Sequence, residues 1–188
     1  MKNVIYLLFI MIILSSCESE YSKLVKTEVK TGVVYDELFL GLKIGETKKQ
    51  FFDKCWELNK QKLVSQGSGN KYAKYVLDIS TEQDTADKVI THFYGIFDKD
   101  EVMYGMEFKM SSESWSPWNK HYHSEALIER LKKYYMRKYG NNQFITLDAK
   151  GNETFAKVDG NRQILIYKLT DKDVSVKITD LRKRYDIK

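Results

Sequence analysis

Residues 102–110 read VMYGMEFKM, and this stretch decides the fold that the sequence predicts. Every second residue is apolar or aromatic, whereas the residues between them include a glutamate and a lysine. Because successive side chains of a strand point to opposite faces, one face would be apolar and the other polar. This alternation is typical of an antiparallel sheet with one face on a core and one face in water. The apolar face would carry Val102, Tyr104, Met106, Phe108 and Met110, and the polar face Glu107 and Lys109.

Further strands are expected on both sides of this one. The strand-like runs cover residues 37–44, 72–80, 88–97, 153–158, 162–169 and 174–180. Short polar segments separate neighbouring runs, and such segments favour hairpin turns. We therefore predict turns at Asp98-Lys99-Asp100 and at Asp171-Lys172-Asp173.

Two helices are expected, one before each group of strands. Thr47 and Gln50 have the spacing of a capping box, so the first helix would begin there and run to about residue 64. The second helix would end near Tyr139, because Gly140 readily adopts the positive φ of a helix terminus. The predicted buried stripes are Phe51, Phe52, Cys55, Trp56 and Leu63 on the first helix, and Leu127 or Ile128, Leu131, Tyr134, Tyr135 and Tyr139 on the second.

These elements predict an α+β fold made of two successive units, each a helix followed by a three-stranded antiparallel meander. Both helices would pack on one face of an antiparallel sheet. The units would span residues 35–111 and 112–188 of one compact domain. The polar residues 17–34 would form a tether, with a strand near residues 26–34.

The N-terminus has the order of a secretory signal. Lys2 is followed by an unbroken apolar run over residues 4–14, too short for a helix across a hydrocarbon core, which needs roughly 20 residues. Leu14-Ser15-Ser16-Cys17 resembles the lipobox of bacterial lipoproteins. The resemblance implies a signal peptide of residues 1–16, cleavage before Cys17, and acyl chains such as palmitate on that cysteine. The alternatives are an ordinary cleaved signal or a short uncleaved anchor.

The residues after the cysteine bear on the location that this resemblance implies. Glu18 stands where an aspartate would retain a lipoprotein at the inner membrane, which favours the outer membrane. Glu18-Ser19-Glu20 also resembles short acidic signals that send lipoproteins to the cell surface. The expected partner is therefore the membrane, through lipid on Cys17, with the domain either periplasmic or surface-exposed.

Charge and cysteine content limit the other partners. The chain carries 31 Lys and Arg against 26 Asp and Glu, and removal of the signal takes away only Lys2. The two signs alternate along the chain, which is typical of a solvated surface and not of a nucleic-acid footprint. If Cys17 carries lipid, Cys55 has no partner for an intramolecular disulfide.

The aromatic loop at residues 111–122 is the candidate binding site. Its candidate residues are Trp115, Trp118 and Tyr122. Trp115 and Trp118 lie on either side of Pro117, which restricts the backbone and lowers the entropy lost on binding. Exposed rings there would stack on a sugar or on the apolar surface of a partner protein. The alternative is that these rings cap the open end of the sheet core.

Other residues give weaker indications of chemistry. Cys55 is either a nucleophile or, between two aromatic residues, a small packing side chain. His121 and His123 would share a face only on a strand, and no third metal ligand is evident. The sequence therefore indicates no metal and no cofactor, and the familiar hydrolase and phosphate-binding motifs are missing from it.

Residues 41–47, GLKIGET, precede a helix and a meander, and this pattern resembles modules of small outer-membrane-assembly lipoproteins and of the β-lactamase-inhibitor-protein fold. The expected function is a non-catalytic binding or assembly module of the cell envelope. The alternative is an envelope hydrolase or glycan-processing enzyme whose acidic residues converge only in the fold. A deep cleft with two carboxylates of perturbed pKa would favour the enzyme.

Overall fold

Eight strands form one antiparallel sheet in the computed structural model, which describes residues 19–67, 69, 71–80, 88–149 and 152–185. The strand order is β1-β2-β3-β4-β8-β7-β6-β5. The strands are β1 (Ser65–Gln66), β2 (Ala73–Asp78), β3 (Lys88–Phe97), β4 (Met103–Ser112), β5 (Ile145–Ala149), β6 (Asn152–Asp159), β7 (Arg162–Lys168) and β8 (Val174–Asp180).

The helices lie before, between and after the strands. They are α1 (Glu20–Lys30), α2 (Lys48–Lys60), α3 (Ser124–Tyr139) and the short α4 (Leu181–Tyr185), with a 3₁₀ turn at Lys120–Tyr122. The predicted capping box at Thr47 and Gln50 is confirmed, and both of its hydrogen bonds are present. Gly140 ends α3 with φ of 60°, as predicted.

The sheet consists of two four-stranded meanders joined along their last strands. β4 pairs with β8, so that Phe108 lies opposite Val176. The turn between β3 and β4, the turn between β6 and β7, and α4 lie together at one end of the sheet, which we call the α4 end. Ser112 at the end of β4 and the turn between β7 and β8 lie at the opposite end, which we call the loop end.

One face of the sheet forms the main core. Phe93, Phe108, Val176 and Ile166 are neighbours across four strands on this face and are fully or almost fully buried. Helices α2 and α3 contribute Phe51, Leu58, Leu127, Leu131 and Tyr135 to the same cluster. Burial of aromatic and aliphatic side chains from both meanders makes the eight strands one cooperative unit.

Helix α1 lies on the other face. Val158 alternates with the core-facing residues of β6, and it packs against Val25 of α1 and Leu181 of α4. Ser19 caps the helix by accepting a hydrogen bond from the amide of Ser22. The covered area is small, because Val25 is the one residue of α1 that is fully buried.

A buried ion pair lies where α3 ends over the sheet. The ammonium group of Lys157 is 2.7 Å from Asp159, and it also donates to the carbonyls of Gly140 and Asn142. Both charged side chains are excluded from water. Three acceptors around one ammonium satisfy its donors, which makes its burial tolerable.

The predicted pair of helix-plus-three-strand units is wrong, although the protein is α+β in the broad sense. Each half of the sheet has four strands, because β1 and β5 were not predicted. A third long helix, α1, covers part of the face that was expected to be wet. The two turns at residues 98–100 and 171–173 are confirmed as hairpin connections.

Two local predictions before α2 are also wrong. The strand expected near residues 26–34 is replaced by the end of α1. The strand expected at residues 37–44 is a turn that doubles back, with a single bridge between Glu37 and Lys43. Leu40 and Gly41 have φ of 53° and 80°, so the backbone reverses direction there and a strand cannot continue.

Candidate functional site

The aromatic loop lies at the loop end of the sheet, beside the turn between β7 and β8. It follows β4 directly, and the pairing of Met110 with Val174 brings the two segments together. The indole nitrogen of Trp115 donates to the carbonyl oxygen of Asp171 at 3.4 Å. The amide of Ser124 donates to the same oxygen at 2.9 Å. The carbonyl of Asp171 therefore ties both ends of the loop to the turn.

Trp115 is a structural part of this loop. Its ring lies tilted over His123, with 6.0 Å between centroids, and the ammonium of Lys172 is 5.5 Å from its centroid. His123 is buried, and its Nε2 is 3.1 Å from the carbonyl oxygen of Ser116. Because a carbonyl can only accept, Nε2 of His123 carries the proton in this contact.

Arg130 of α3 connects the loop to the end of β4 through hydrogen bonds. One guanidinium nitrogen donates to the carbonyl of His121 at 2.6 Å, and another donates to the hydroxyl of Ser112 at 3.0 Å. The side chain of Asn119 accepts from the amide of His121 and so caps the 3₁₀ turn. A loop fixed at this many points loses little further entropy when it binds a partner.

Trp118 is the side chain that this framework presents to solvent. It is 84% exposed, whereas Tyr122 is half-buried and meets the ring of His121 edge-on at 5.0 Å. The structure thus divides the three aromatic residues predicted as a binding cluster. Trp115 packs within the loop, Trp118 is exposed to solvent, and Tyr122 is half-buried against His121.

Charged side chains form the rim of the loop. Lys168 bridges Glu125 and Asp171, with nitrogen-to-oxygen distances of 2.5 and 2.7 Å. The hydrogen bonds from Lys168 hold the pKa of both carboxyl groups below their usual values. All three groups are therefore charged near neutral pH, and none of them is poised to donate a proton.

A groove of about 540 Å³ lies between α2 and the edge of the sheet. Its lining includes Phe52, Cys55, Trp56, Asn59, Gln66 and Tyr72. The predicted burial of Phe52, Trp56 and Leu63 is wrong, because they are 49%, 62% and 49% exposed. Phe51 is buried as predicted, and Leu58, which was not predicted, is buried as well. The two-residue strand β1 borders this side of the sheet.

An ion pair closes one side of this groove. Glu107 accepts from Lys71 at 2.9 Å and from the hydroxyl of Tyr72 at 2.8 Å. Burial acts to raise the pKa of Glu107, but these two hydrogen bonds and the positive charges of Lys71 and Lys177 together leave the pKa lowered. The carboxylate is thus charged and engaged.

Cys55 lies half-buried in the same groove. Burial raises the pKa of its thiol to about 11. The thiol therefore stays protonated near neutral pH, whereas a nucleophilic cysteine needs the thiolate. This agrees with the interpretation of Cys55 as a packing residue.

A second cleft, of about 530 Å³, lies at the α4 end and includes Asp98 and Asp180. Asp98 is paired with Lys183, and that hydrogen bond lowers the pKa of its carboxyl group. Asp180 is paired with Arg182 at 2.6 Å. General acid catalysis requires a carboxyl group with a raised pKa, whereas the pKa of Asp98 is lowered. No group of three His, Cys, Asp or Glu side chains within the described ranges has the arrangement of a metal site.

The predicted lipidation site, Cys17, and the signal peptide of residues 1–16 lie outside the described residues. Among the helices of the described ranges, none combines the length and the apolar character required to span a membrane.

The sequence matches no protein-family model and no curated protein. Among solved structures, the chain is similar to a crystal structure of a DUF4309 family protein, YjgB, from Bacillus subtilis subsp. subtilis strain 168. The two sequences are 15% identical, and the alignment covers 84% of this chain and 96% of YjgB with a TM-score of 0.37. A likeness at this level carries no argument about fold or function.

Proposed function

We propose that this protein is a non-catalytic binding module of the cell envelope. Lipid on Cys17 would hold it at the outer membrane, and the loop at residues 111–122 would bind a protein or a glycan of the envelope. The observation that carries the proposal is Trp118, a large aromatic side chain that is 84% exposed on a loop fixed by hydrogen bonds. Exposed aromatic anchors on rigid loops are typical of binding surfaces.

The position of α1 supports the proposed orientation. Its N-cap, Ser19, is two residues after Cys17, so little free chain would separate the lipid from the folded domain. Tyr21 contacts Gln163 near the α4 end of the sheet. Strand β4 runs ten residues from the α4 end to the loop end. Because a strand rises about 3.4 Å per residue, the loop end lies far from the start of α1. The binding loop would therefore face away from the bilayer.

The carboxyl groups favour binding over hydrolysis. The carboxylates of the α4-end cleft and of the loop rim are each paired with a basic side chain. A hydrolase of the two-carboxylate type needs one protonated and one ionised group at neutral pH. The rim charges and the exposed ring are instead suited to orienting a partner.

Photo-crosslinking in the native cell tests this proposal. A photoreactive amino acid at position 118 should trap one or a few envelope components, because that position is exposed on the proposed surface. The matched control carries the same group at Lys99, an exposed residue of the turn at the α4 end. Equal products from positions 118 and 99, or none at 118, would contradict a binding role for the loop.

A further inference from the structure

We infer that two copies of this chain associate through the outer edge of β5, so that their two sheets join into one. The inference goes beyond the proposed function, because neither the loop at residues 111–122 nor the lipid anchor takes part in the contact. Two features of the described residues support it. One is a strand edge without a neighbour, and the other is a pattern of charge along that edge that complements itself.

Strand β5 forms one edge of the sheet. Within the part of the chain that the structure describes, it pairs with β6 alone. Every second residue of an antiparallel edge strand turns its N–H and C=O groups outward, where another strand can pair with them. Proteins commonly protect such edges with lysine, with proline or with a very short strand. The opposite edge is the two-residue β1, whereas β5 has five residues, ITLDA, without lysine or proline.

Two-fold symmetry sets the register of such a pair. An axis at Leu147 pairs all five residues of β5 with β5 of the second copy, and the strands run antiparallel, like neighbouring strands within the sheet. Leu147 then lies opposite Leu147 of the second copy, and Thr146 lies opposite Asp148 of the second copy. Because side chains alternate, Ile145 and Leu147 of both copies share one face, and Thr146 and Asp148 share the other.

The side of α3 next to the start of β5 is basic. A groove of about 540 Å³ lies between α3 and the residues that lead into β5, and its charged lining consists of Lys132, Lys133, Arg137 and Glu129. Three basic side chains against one carboxylate leave the groove with a net positive charge. The ammonium of Lys132 lies 4.1 Å from the centre of the Phe155 ring, and Phe155 is opposite Thr146. Lys132 therefore places positive charge over the outer strands.

The other end of β5 is acidic. Asp148 lies opposite Glu153 of β6, and both side chains are exposed. Like charges directly opposite each other destabilise a strand pair. In the two-fold arrangement, Asp148 of the second copy comes beside Thr146, on the face where Lys132 lies over the outer strands. The acidic end of each copy thus meets the basic groove of the other, and this complementarity favours the second copy as the partner.

Disulfide trapping of the full chain in its native cell tests the pairing. A single strand edge is a small interface, so we expect a weak dimer that a covalent trap can capture. Leu147→Cys, combined with Cys55→Ser, places two thiols across the two-fold axis, within the Cα separation of about 4.4–6.8 Å that a disulfide spans. The matched control is Val76→Cys in the same background, since Val76 is an exposed apolar residue of β2. After mild oxidation with copper phenanthroline, Leu147→Cys should give at least about fivefold more dimer on a non-reducing gel than Val76→Cys.

An exchange of charges provides a second measurement. Asp148→Lys in the Leu147→Cys protein should lower the trapped dimer by about fivefold, because it brings a lysine against the basic groove of the other copy. The same change removes the like-charge pair with Glu153, so loss of folding would not explain the result. Adding Lys132→Glu should restore the dimer, since the two charges are then exchanged. Lys99→Glu, an exposed change in the turn at the α4 end, should leave the dimer unchanged.

Three results would overturn the association. Equal amounts of dimer from positions 147 and 76 would show that the edge of β5 has no preference for a second copy. A product of Leu147→Cys with a different protein, and no dimer, would show that the edge serves another partner. A dimer that Asp148→Lys leaves unchanged would contradict the proposed register. Trp118→Ala should not alter the trapped dimer, so failure of this inference leaves the proposed binding loop standing.

Discussion

Trp115 and Trp118 are three residues apart in one loop, yet their surroundings give them different roles. The ring of Trp115 packs on His123 and its indole nitrogen is hydrogen-bonded, whereas Trp118 is 84% exposed. We expect Trp118→Ala to change the free energy of unfolding by less than about 0.5 kcal/mol. Trp115→Ala should lower it by about 1–3 kcal/mol, because it removes a half-buried ring and leaves polar groups unpaired. Urea unfolding of both variants measures this difference, and equal losses would contradict it.

Lys157 and Asp159 form an ion pair that water does not reach. Lys157→Met would leave the carboxylate of Asp159 buried without its closest cation, 2.7 Å away. We expect a loss of about 3–5 kcal/mol in the free energy of unfolding, since breaking a buried pair exposes the desolvation cost of the remaining charge. The double variant Lys157→Met/Asp159→Asn should recover part of this loss. A single variant as stable as the original protein in urea would contradict the assignment.

Glu107 links stability to pH. Its folded pKa lies below the ordinary value of 4.5, because the hydrogen bonds from Lys71 and Tyr72 and the positive charges of Lys71 and Lys177 together outweigh the effect of burial. A carboxyl group with a lowered folded pKa stabilises the fold above its unfolded pKa and loses that effect as pH falls through the folded pKa. Glu107→Gln should therefore cost on the order of 1 kcal/mol at pH 7 and less at pH 3. Urea midpoints at the two pH values measure this, and a constant difference would contradict it.

At the scale of elements, helix α1 was not predicted from the sequence. Residues 20–30 contain few apolar side chains, and only Val25 is fully buried. The partners that cover it, Val158 and Leu181, are more than a hundred residues away in the chain. Because a long-range contact stabilises this helix, the local pattern gave no sign of it.

The small contact of α1 makes it a separate unit of stability. Val25→Ala should speed amide hydrogen exchange in α1 by about tenfold and leave the strands β3, β4 and β8 unchanged, because it weakens a cluster that is distinct from the main core. Lys23→Ala, an exposed change on the same helix, is the matched control. Faster exchange throughout the sheet would show that α1 is part of the main cooperative unit.

Helix α2 was predicted in position but not in orientation. Its capping box fixed the start, since that signal depends only on Thr47 and Gln50. Its aromatic residues cover too wide an arc for the sequence to show which side is buried. The side that carries Phe52 and Trp56 is open because the sheet has only the two residues of β1 next to it. The exposure of this side of α2 was for this reason not predicted.

At the scale of the whole molecule, the alternation of side chains predicted six of the strands well but could not predict their order. Alternation reports which face of a strand is buried, and hairpin turns report which consecutive strands are neighbours. The pairing of β4 with β8 has neither signal, because those strands are far apart in sequence. The loop at residues 111–122 was identified from composition, whereas the supporting role of Trp115 depends on the distant carbonyl of Asp171.

The proposed anchor predicts a specific mature protein. Intact-mass analysis of the native protein should show a chain that begins at Cys17 and carries the mass of its acyl chains, because the proposal requires that residues 1–16 be removed and the cysteine be modified. Cys17→Ser should yield a protein without this added mass that leaves the membrane fraction. An unmodified N-terminus in the native protein, or membrane retention of Cys17→Ser, would contradict the proposal.

The last of the described strands in chain order lies at the centre of the sheet. Residues 174–180 form β8, which lies between β4 and β7 and joins the two meanders. During synthesis, the first meander therefore has no central neighbour until residues 174–180 have left the ribosome. Such late, distant pairing slows folding. The two meanders therefore stay separate until residues 174–180 are available to join them.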